Sequence, residues 1–176
     1  VLYKETLETF KDINSGFIID CTTGFAGHSS GLIALNENIK LICNDQDNEA
    51  LEFSKNRLEA YKQRVIFNKG NFEHVIDTFK DYEIRGVLAD IGVSSLQLDK
   101  LERGFGFESD TLDMRMNQNQ SLDAATVVNT YSQEELERVF KECGEVREYK
   151  KVASLIVENR PVTSAKQISE LLSEKM

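Results

Sequence analysis

FIIDCTTGFAGHSSG, residues Phe17 to Gly31, decides the fold. Three apolar residues, Phe17, Ile18 and Ile19, read as the middle of a buried strand. The chain then passes into a turn holding Gly24, Ala26, Gly27 and Gly31, with two threonines and His28 among them. Small residues pack poorly and carry a large backbone entropy loss on folding. A turn built from them directly after a strand suits a place where something must approach the main chain.

Outward from that turn, apolar strands alternate with helical segments. Tyr3 to Phe10 reads as a short helix with Leu7 and Phe10 on one side. A strand from Gly16 to Cys21 precedes the turn, and Ser29 to Leu35 reads as a helix after it. Ile39 to Cys43 is a second strand ending in Asn44-Asp45. Asp47 is placed to cap a helix from Asn48 to about Tyr61. Val65 to Phe67 is a third strand, Phe72 to Phe79 a helix, and Gly86 to Ile91 a fourth strand. This alternation predicts an α/β fold with a parallel sheet and right-handed crossovers. The continuous apolar strands predict cover on both faces.

From Leu96 to Gln120 the pattern turns irregular, and beyond it helical. Ser132 with Glu135 forms a capping-box signal for a helix ending near Gly144. Arg147 to Asn159 is amphipathic and stops before Pro161, the only proline. Ser164 with Gln167 caps a last helix. The composition shift near 105–120 sets an expected domain boundary: 1–105 for the sheet and 106–176 for a helical part. Four strands make half of a doubly wound sheet, so the sheet is either unusually small or continued beyond Met176. A sheet ending at its fourth strand exposes an apolar edge, which predicts a homodimer or instability.

In open α/β sheets, ligands sit at the carboxyl ends of the strands. Gly24, Ala26 and Gly27 occupy the first such end, and the N–H groups opening the next helix suit an anion. Asp45 ends the second strand, where an acid takes a ribose hydroxyl pair. A nucleoside cofactor site and a plain tight turn beside a solvated cap fit this spacing equally. Within the first reading, the turn lacks the third glycine and the spacing of a dinucleotide fingerprint. Asp20 and Asp90 add hydrogen-bond acceptors that suit the ammonium and sulfonium of S-adenosyl-L-methionine better than a pyrophosphate. An NAD-dependent oxidoreductase is the less favoured alternative.

The 176 residues carry a net charge of −9, spread over both halves, which counts against a simple basic nucleic-acid-binding domain. Cys21, Cys43 and Cys143 form no C-x-x-C pair, which argues against a zinc site or disulfide framework and fits a cytoplasmic protein. Cys21 and Cys43 fall at strand ends, where buried small thiols are expected. No metal site is expected. No run is long enough for a membrane span and no signal peptide is visible; since the first residue is Val1, targeting stays open.

DCTTGFAGHS (20–29), NDQDNEAL (44–51), GNF (70–72), LADIGVSSLQLD (88–99), ERGFGF (102–107) and LDMRM (112–116) together resemble the ribosomal RNA small subunit methyltransferase H family. The resemblance runs from Val1 to about Leu172. It implies a Rossmann-like class I methyltransferase sheet, incomplete here with about four parallel strands, and a helical insertion domain that recognises substrate. It implies methylation of N4 of a cytosine in the decoding region of 16S rRNA, within the small ribosomal subunit, by S-adenosyl-L-methionine. Carried over by position, the family's cofactor contacts fall on Ala26, Gly27, His28, Asp45, Phe72, Asp90 and Gln97. Ala26 stands where the family usually has glycine.

The roles that follow are chemical. Asp45 would accept from the ribose, Phe72 lie on the adenine, His28 face the methionine moiety, and Gln97 meet its carboxylate and ammonium. For Phe72 the rival reading is a core aromatic, for His28 a polar cap, and for Gln97 a solvated loop residue. Asp90 would accept from the cytosine N4–H and count as catalytic, or contact the cofactor alone. Arg103, Asp113 and Arg115 would hold the junction to the helical part or meet RNA phosphate. Arg147, Lys150, Lys151 and Arg160 would form a basic face. A module that binds cofactor without turnover is the remaining alternative.

Overall fold

The computed structural model describes residues 2–175. The chain divides into two compact units, Val1–Gly92 and Val93–Met176. The composition shift that places the expected boundary at 105/106 therefore falls inside the second unit. The chain leaves the sheet unit as soon as its fourth strand is complete, before the composition changes.

The first unit holds strands β1 (Gly16–Asp20), β2 (Ile39–Asp45), β3 (Val65–Lys69) and β4 (Ile84–Leu88). They form one sheet in the order β3-β2-β1-β4, and every pair is parallel. The chain steps outward from β1 to β3 and then crosses back to the other side of β1. The reversal lies between β1 and β4, where a parallel sheet opens a crevice at its carboxyl ends.

Both faces of the central strands are covered, which explains their continuous apolar runs. On one face Ile18, Leu41 and Cys43 pack with Phe10, Ala26, Leu32, Ile33, Ile39 and Leu58. On the other, Ile19 and Ile42 pack with Cys21, Val75 and Phe79. Alternate residues go to alternate faces, as the pleat requires. Ile18, Ile19, Ile39, Leu41 and Ile42 are fully buried, each contributing about 1.5–3 kcal/mol of transfer free energy.

Helices α1 (Tyr3–Phe10) and α2 (Gly27–Leu35) meet at Gly31. A Cβ added there would crowd Tyr3 Oη and lie 2.8 Å from a Leu7 methyl, so both side chains would have to shift to admit it. The carboxyl end of α2 is sealed by Arg64, whose Nη1 lies 3.0–3.2 Å from the carbonyls of Ile33, Asn36, Glu37 and Ile39. Helix α3 (Asn48–Arg57) begins at Asp47, whose side chain accepts from the Glu49 N–H. It stops earlier than its apolar spacing suggests. Leu58, 1 % exposed, anchors the chain in the core, and Glu59–Arg64 tightens into a 3-10 helix. Phe72–His74 is likewise a 3-10 turn leading into the four-residue α4 (Val75–Thr78). The fourth strand ends at Leu88 rather than Ile91, because Asp90 gives its N–H to Thr22 Oγ1 at 2.8 Å instead of to the ladder.

The second unit is helical and irregular. It contains α5 (Ser95–Asp99), α6 (Ala124–Thr130), α7 (Gln133–Arg138), α8 (Tyr149–Glu158) and α9 (Ala165–Lys175). Leu112, Val128, Leu136, Val152, Ala153, Ile156 and Val162 form its core. The Ser132 and Glu135 capping box is present, and α7 runs on into a π-helical turn over Val139–Cys143. Helix α6 lies within the stretch beyond Gln120 that reads as helical. Its Thr-Val-Val segment is a poor helix former, and tertiary packing of Val128 together with the Asp123 cap carries it. No helix among the described residues is long and apolar enough to cross a membrane.

Candidate functional site

The carboxyl ends of the strands are tied together by polar side chains that the strands themselves end on. Asn44, on β2, donates from Nδ2 to the Cys21 carbonyl at 2.9 Å and to the Gly70 carbonyl at 3.1 Å, and accepts from Asn68 Nδ2 at 2.6 Å. One buried amide thus joins the exits of β1, β2 and β3. The N–H of Thr23 adds a bond to the Asn44 carbonyl at 2.9 Å. Thr22 Oγ1 ties in the exit of β4 through Asp90. Neither Asn44 nor Thr22 announces this role in the sequence, beyond an Asn standing directly before the acid of a strand end.

Asp45 uses both carboxylate oxygens. Oδ2 accepts the Gly24 N–H at 2.8 Å and Oδ1 the Asp47 N–H at 2.9 Å. Burial raises its pKa from the ordinary carboxylate value, and the two N–H bonds oppose that rise. Each oxygen keeps further acceptor capacity, so the side chain can hold the turn and still receive hydroxyl protons. Asp20, 2 % exposed, accepts from Ser29 Oγ at 2.6 Å and from the Thr22 N–H at 3.3 Å. Burial raises its pKa too, with the Ser29 bond pulling the other way.

The turn is open where it has to be. A Cβ added at Gly27 would meet nothing within 4 Å, and one at Gly24 only the Thr22 carbonyl oxygen at 3.9 Å. Gly24 has φ +53° and Ala26 has φ +56°. Both lie in the left-handed region that favours glycine, which gives the physical reason for a glycine preference at position 26. Ala26 is itself fully buried, so its methyl faces the core and leaves the outer side of the turn clear.

His28 opens α2 with Nδ1 3.9 Å from Asp90 Oδ2, and its ring lies 6.0 Å from that of Tyr3 at 23°. Asp90 Oδ is therefore beside His28, and its side chain is 45 % exposed. Phe72 follows β3 and is 39 % exposed, so it is not the core aromatic its apolar character also allowed. The Gly70 N–H, two residues earlier, donates to the Asp45 carbonyl at 3.1 Å and fixes the start of that segment. The structure thus gathers Gly24, Ala26, Gly27, His28, Asp45 and Asp90 through a connected set of contacts at one end of the sheet. Gln97 belongs to the other unit. It is 6 % exposed, not a solvated loop residue, and its Oε1 accepts the Ser94 N–H at 2.9 Å in a capping box.

Several basic candidates turn inward. Arg103, 2 % exposed, donates to the carbonyls of Arg115 and Met116. Arg115 forms a two-pronged pair with Asp113 at 2.9 and 2.7 Å, which holds that carboxyl below its ordinary pKa. Arg160 donates to the carbonyls of Val128 and Tyr131. These three make structural contacts within the fold, while Arg147, Lys150 and Lys151 stay exposed. Cys21 and Cys43 are buried free thiols as expected, and burial pushes Cys43 up to about 12.

An open turn at the switch point of a parallel sheet, with an acid closing β2, is the arrangement of a Rossmann-like nucleoside-binding sheet. The chain belongs to the MraW methylase family, whose profile matches residues 1–176. It is 82% identical over 176 residues to the ribosomal RNA small subunit methyltransferase H of Aliarcobacter butzleri (strain RM4018), covering 100% of this chain and 59% of that protein. It is 54% identical over 180 residues to the protein of the same name from Sulfurimonas denitrificans, again covering 100% of this chain and 59% of the relative. With the Wolinella succinogenes protein of that name it shares 51% over 175 residues, 98% of this chain and 58% of the other. The chain thus spans 59% of the length of the first two relatives.

Proposed function

We propose that the protein methylates the N4 amino group of a cytosine in the decoding region of 16S rRNA, within the small ribosomal subunit, using S-adenosyl-L-methionine. The observation that carries this reading is the bare main chain at Gly24 and Gly27, held open beside Asp45. The relatives' names supply the substrate class. The residues present fit the cofactor: a glycine turn with no atom above Gly27, an acid with spare acceptor capacity at β2, and a half-exposed aromatic after β3.

In this reading Asp45 receives the ribose hydroxyl protons, and Phe72 offers its exposed face to the adenine. Ala26, Gly27 and His28 line the methionine end. The bound cofactor supplies an electrophilic methyl on a sulfonium. Cytosine N4 is a weak nucleophile because its lone pair is delocalised into the ring. Asp90 accepts one N4–H, orients the lone pair and draws off the proton as the bond forms. Its exposed carboxylate and its main chain, pinned by Thr22, suit that task. Transfer then depends mainly on alignment. The runner-up role for Asp90 is a cofactor contact alone.

The test combines binding with turnover. Calorimetry with S-adenosyl-L-methionine should give saturable binding and calorimetry with NAD none. Small ribosomal subunits incubated with methyl-labelled cofactor and full chain should carry label on a cytosine of 16S rRNA. Asp90→Asn should lower the rate at saturating cofactor while leaving the cofactor Kd near wild type. Label on another nucleotide, or on no RNA at all, refutes the substrate assignment. A raised cofactor Kd with unchanged rate moves Asp90 to the runner-up role.

A further inference from the structure

The turn that would lie against a cofactor has left-handed residues at Gly24 and Ala26 and runs outside the sheet, between the end of β1 at Asp20 and the start of α2 at Gly27. Something must keep its peptide groups in place. Asp45 takes the Gly24 N–H, and the Ala26 N–H closes on the Thr23 carbonyl at 2.8 Å. The Phe25 carbonyl oxygen is held from outside the turn. Arg57 Nη1 donates to it at 3.0 Å. The Phe25 ring meets the ring of Phe53 edge-on, with centroids 4.9 Å apart at 83°.

Phe53 and Arg57 are four residues apart on α3, so they project from one face. Phe53 is 49 % exposed and belongs to neither apolar cluster of the sheet. A large aromatic in that position adds little to the core. With Asn56, the same two residues line an open depression of about 500 Å³. Helix α3 begins at Asp47, whose N–H is bonded by Asp45. The helix that follows the acid therefore reaches back to hold the glycine turn at a second point.

We propose that Phe53 and Arg57 are positioning residues for the cofactor, acting through Phe25 to hold the Gly24–Gly27 turn in its binding shape. The inference rests on the function proposed above. A turn already ordered loses less conformational entropy when a ligand arrives. Arg57 contributes its directional hydrogen bond and Phe53 the ring contact. Neither needs to touch the ligand.

The experiment measures three quantities in the full chain: the Kd for S-adenosyl-L-methionine, amide hydrogen exchange at residues 24–27 without ligand, and the unfolding temperature. Arg57→Met and Phe53→Ala should each weaken binding about fivefold, the scale of one lost hydrogen bond. Both should speed exchange in the turn while the unfolding temperature stays within about 2 °C, since the contacts are exposed. Arg57→Lys should recover part of the affinity because one donor remains. Lys55→Gln, an exposed change on the same helix, should match wild type. Wild-type affinity in both Arg57→Met and Phe53→Ala overturns the proposal, as does a loss that simply follows thermal stability. If wild type itself fails to bind the cofactor, the function proposed above falls. Exchange in the unliganded turn then judges the clamp, and rates unchanged in Arg57→Met refute it.

Discussion

Replacing Asp45 tests structure and chemistry at once. In Asp45→Ala the N–H groups of Gly24 and Asp47 lose their acceptors, now 2.8 and 2.9 Å away. A fully buried N–H left without a partner costs about 1–3 kcal/mol. Asp45 is only half-buried, so water reaches part of the gap and about 1 kcal/mol each is the better figure. The expected loss of stability is about 2 kcal/mol. Ligand binding loses more, because a carboxylate meeting two ribose hydroxyls makes charge-assisted bonds of about 1.5–3 kcal/mol each. About 3 kcal/mol of lost binding corresponds to roughly a hundredfold rise in Kd. Asp45→Asn keeps one acceptor oxygen, so about 1 kcal/mol of stability and tenfold in Kd are expected. Urea unfolding gives the first quantity and calorimetry with S-adenosyl-L-methionine the second. If Asp45→Ala binds the cofactor within twofold of wild type, the acid is only a clasp for the turn and the ribose assignment is wrong.

Other outcomes follow from the packing and the titrations. Gly31→Ala should displace α1, since the new methyl crowds Tyr3 Oη; overpacking of about 1–3 kcal/mol outweighs a helix-propensity gain of about 1 kcal/mol, and urea unfolding reads the difference. Burial raises the pKa of Asp20 in the folded state above its ordinary 3.8. The folded protein therefore holds that proton more tightly, so this group favours folding below pH 3.8 and its contribution is lost as pH rises through the raised pKa. Asp20→Asn should thus gain stability relative to wild type between pH 3.8 and neutrality, and a pH-independent difference in urea midpoints would contradict the burial argument. Strand β4 lies at the sheet edge with Val87 48 % exposed, so the 176-residue chain should self-associate and Val87→Lys should weaken that association; light scattering showing a wild-type monomer refutes the association, and equal association in both removes the edge as its cause.

The sheet was legible in the sequence because its signals are local. Apolar runs at Phe17–Ile19, Leu41–Cys43 and Val65–Phe67 read as sheet strands, and each is followed by a helix signal. The cap at Asp47 and the box at Ser132 and Glu135 lie within four residues of their partners, so they too could be read directly. The family resemblance rested on contiguous motifs, and the profile match bears it out.

What the amino-acid order determined by itself is the α/β class, the order of elements and the place of the glycine turn, since all three depend on neighbours along the chain. Tertiary structure alone decided which groups meet. Asn44 joins three strand exits separated by more than twenty residues, and Arg57 reaches a carbonyl thirty-two positions earlier. It also decided that β4 stops at Leu88, because a hydroxyl from another loop competes for the Asp90 N–H. It gave Arg103, Arg115 and Arg160 partners inside the fold, which none of their neighbours along the chain announces. Such outcomes depend on which donors and acceptors a folded chain brings within 3 Å, and local periodicity holds no record of that.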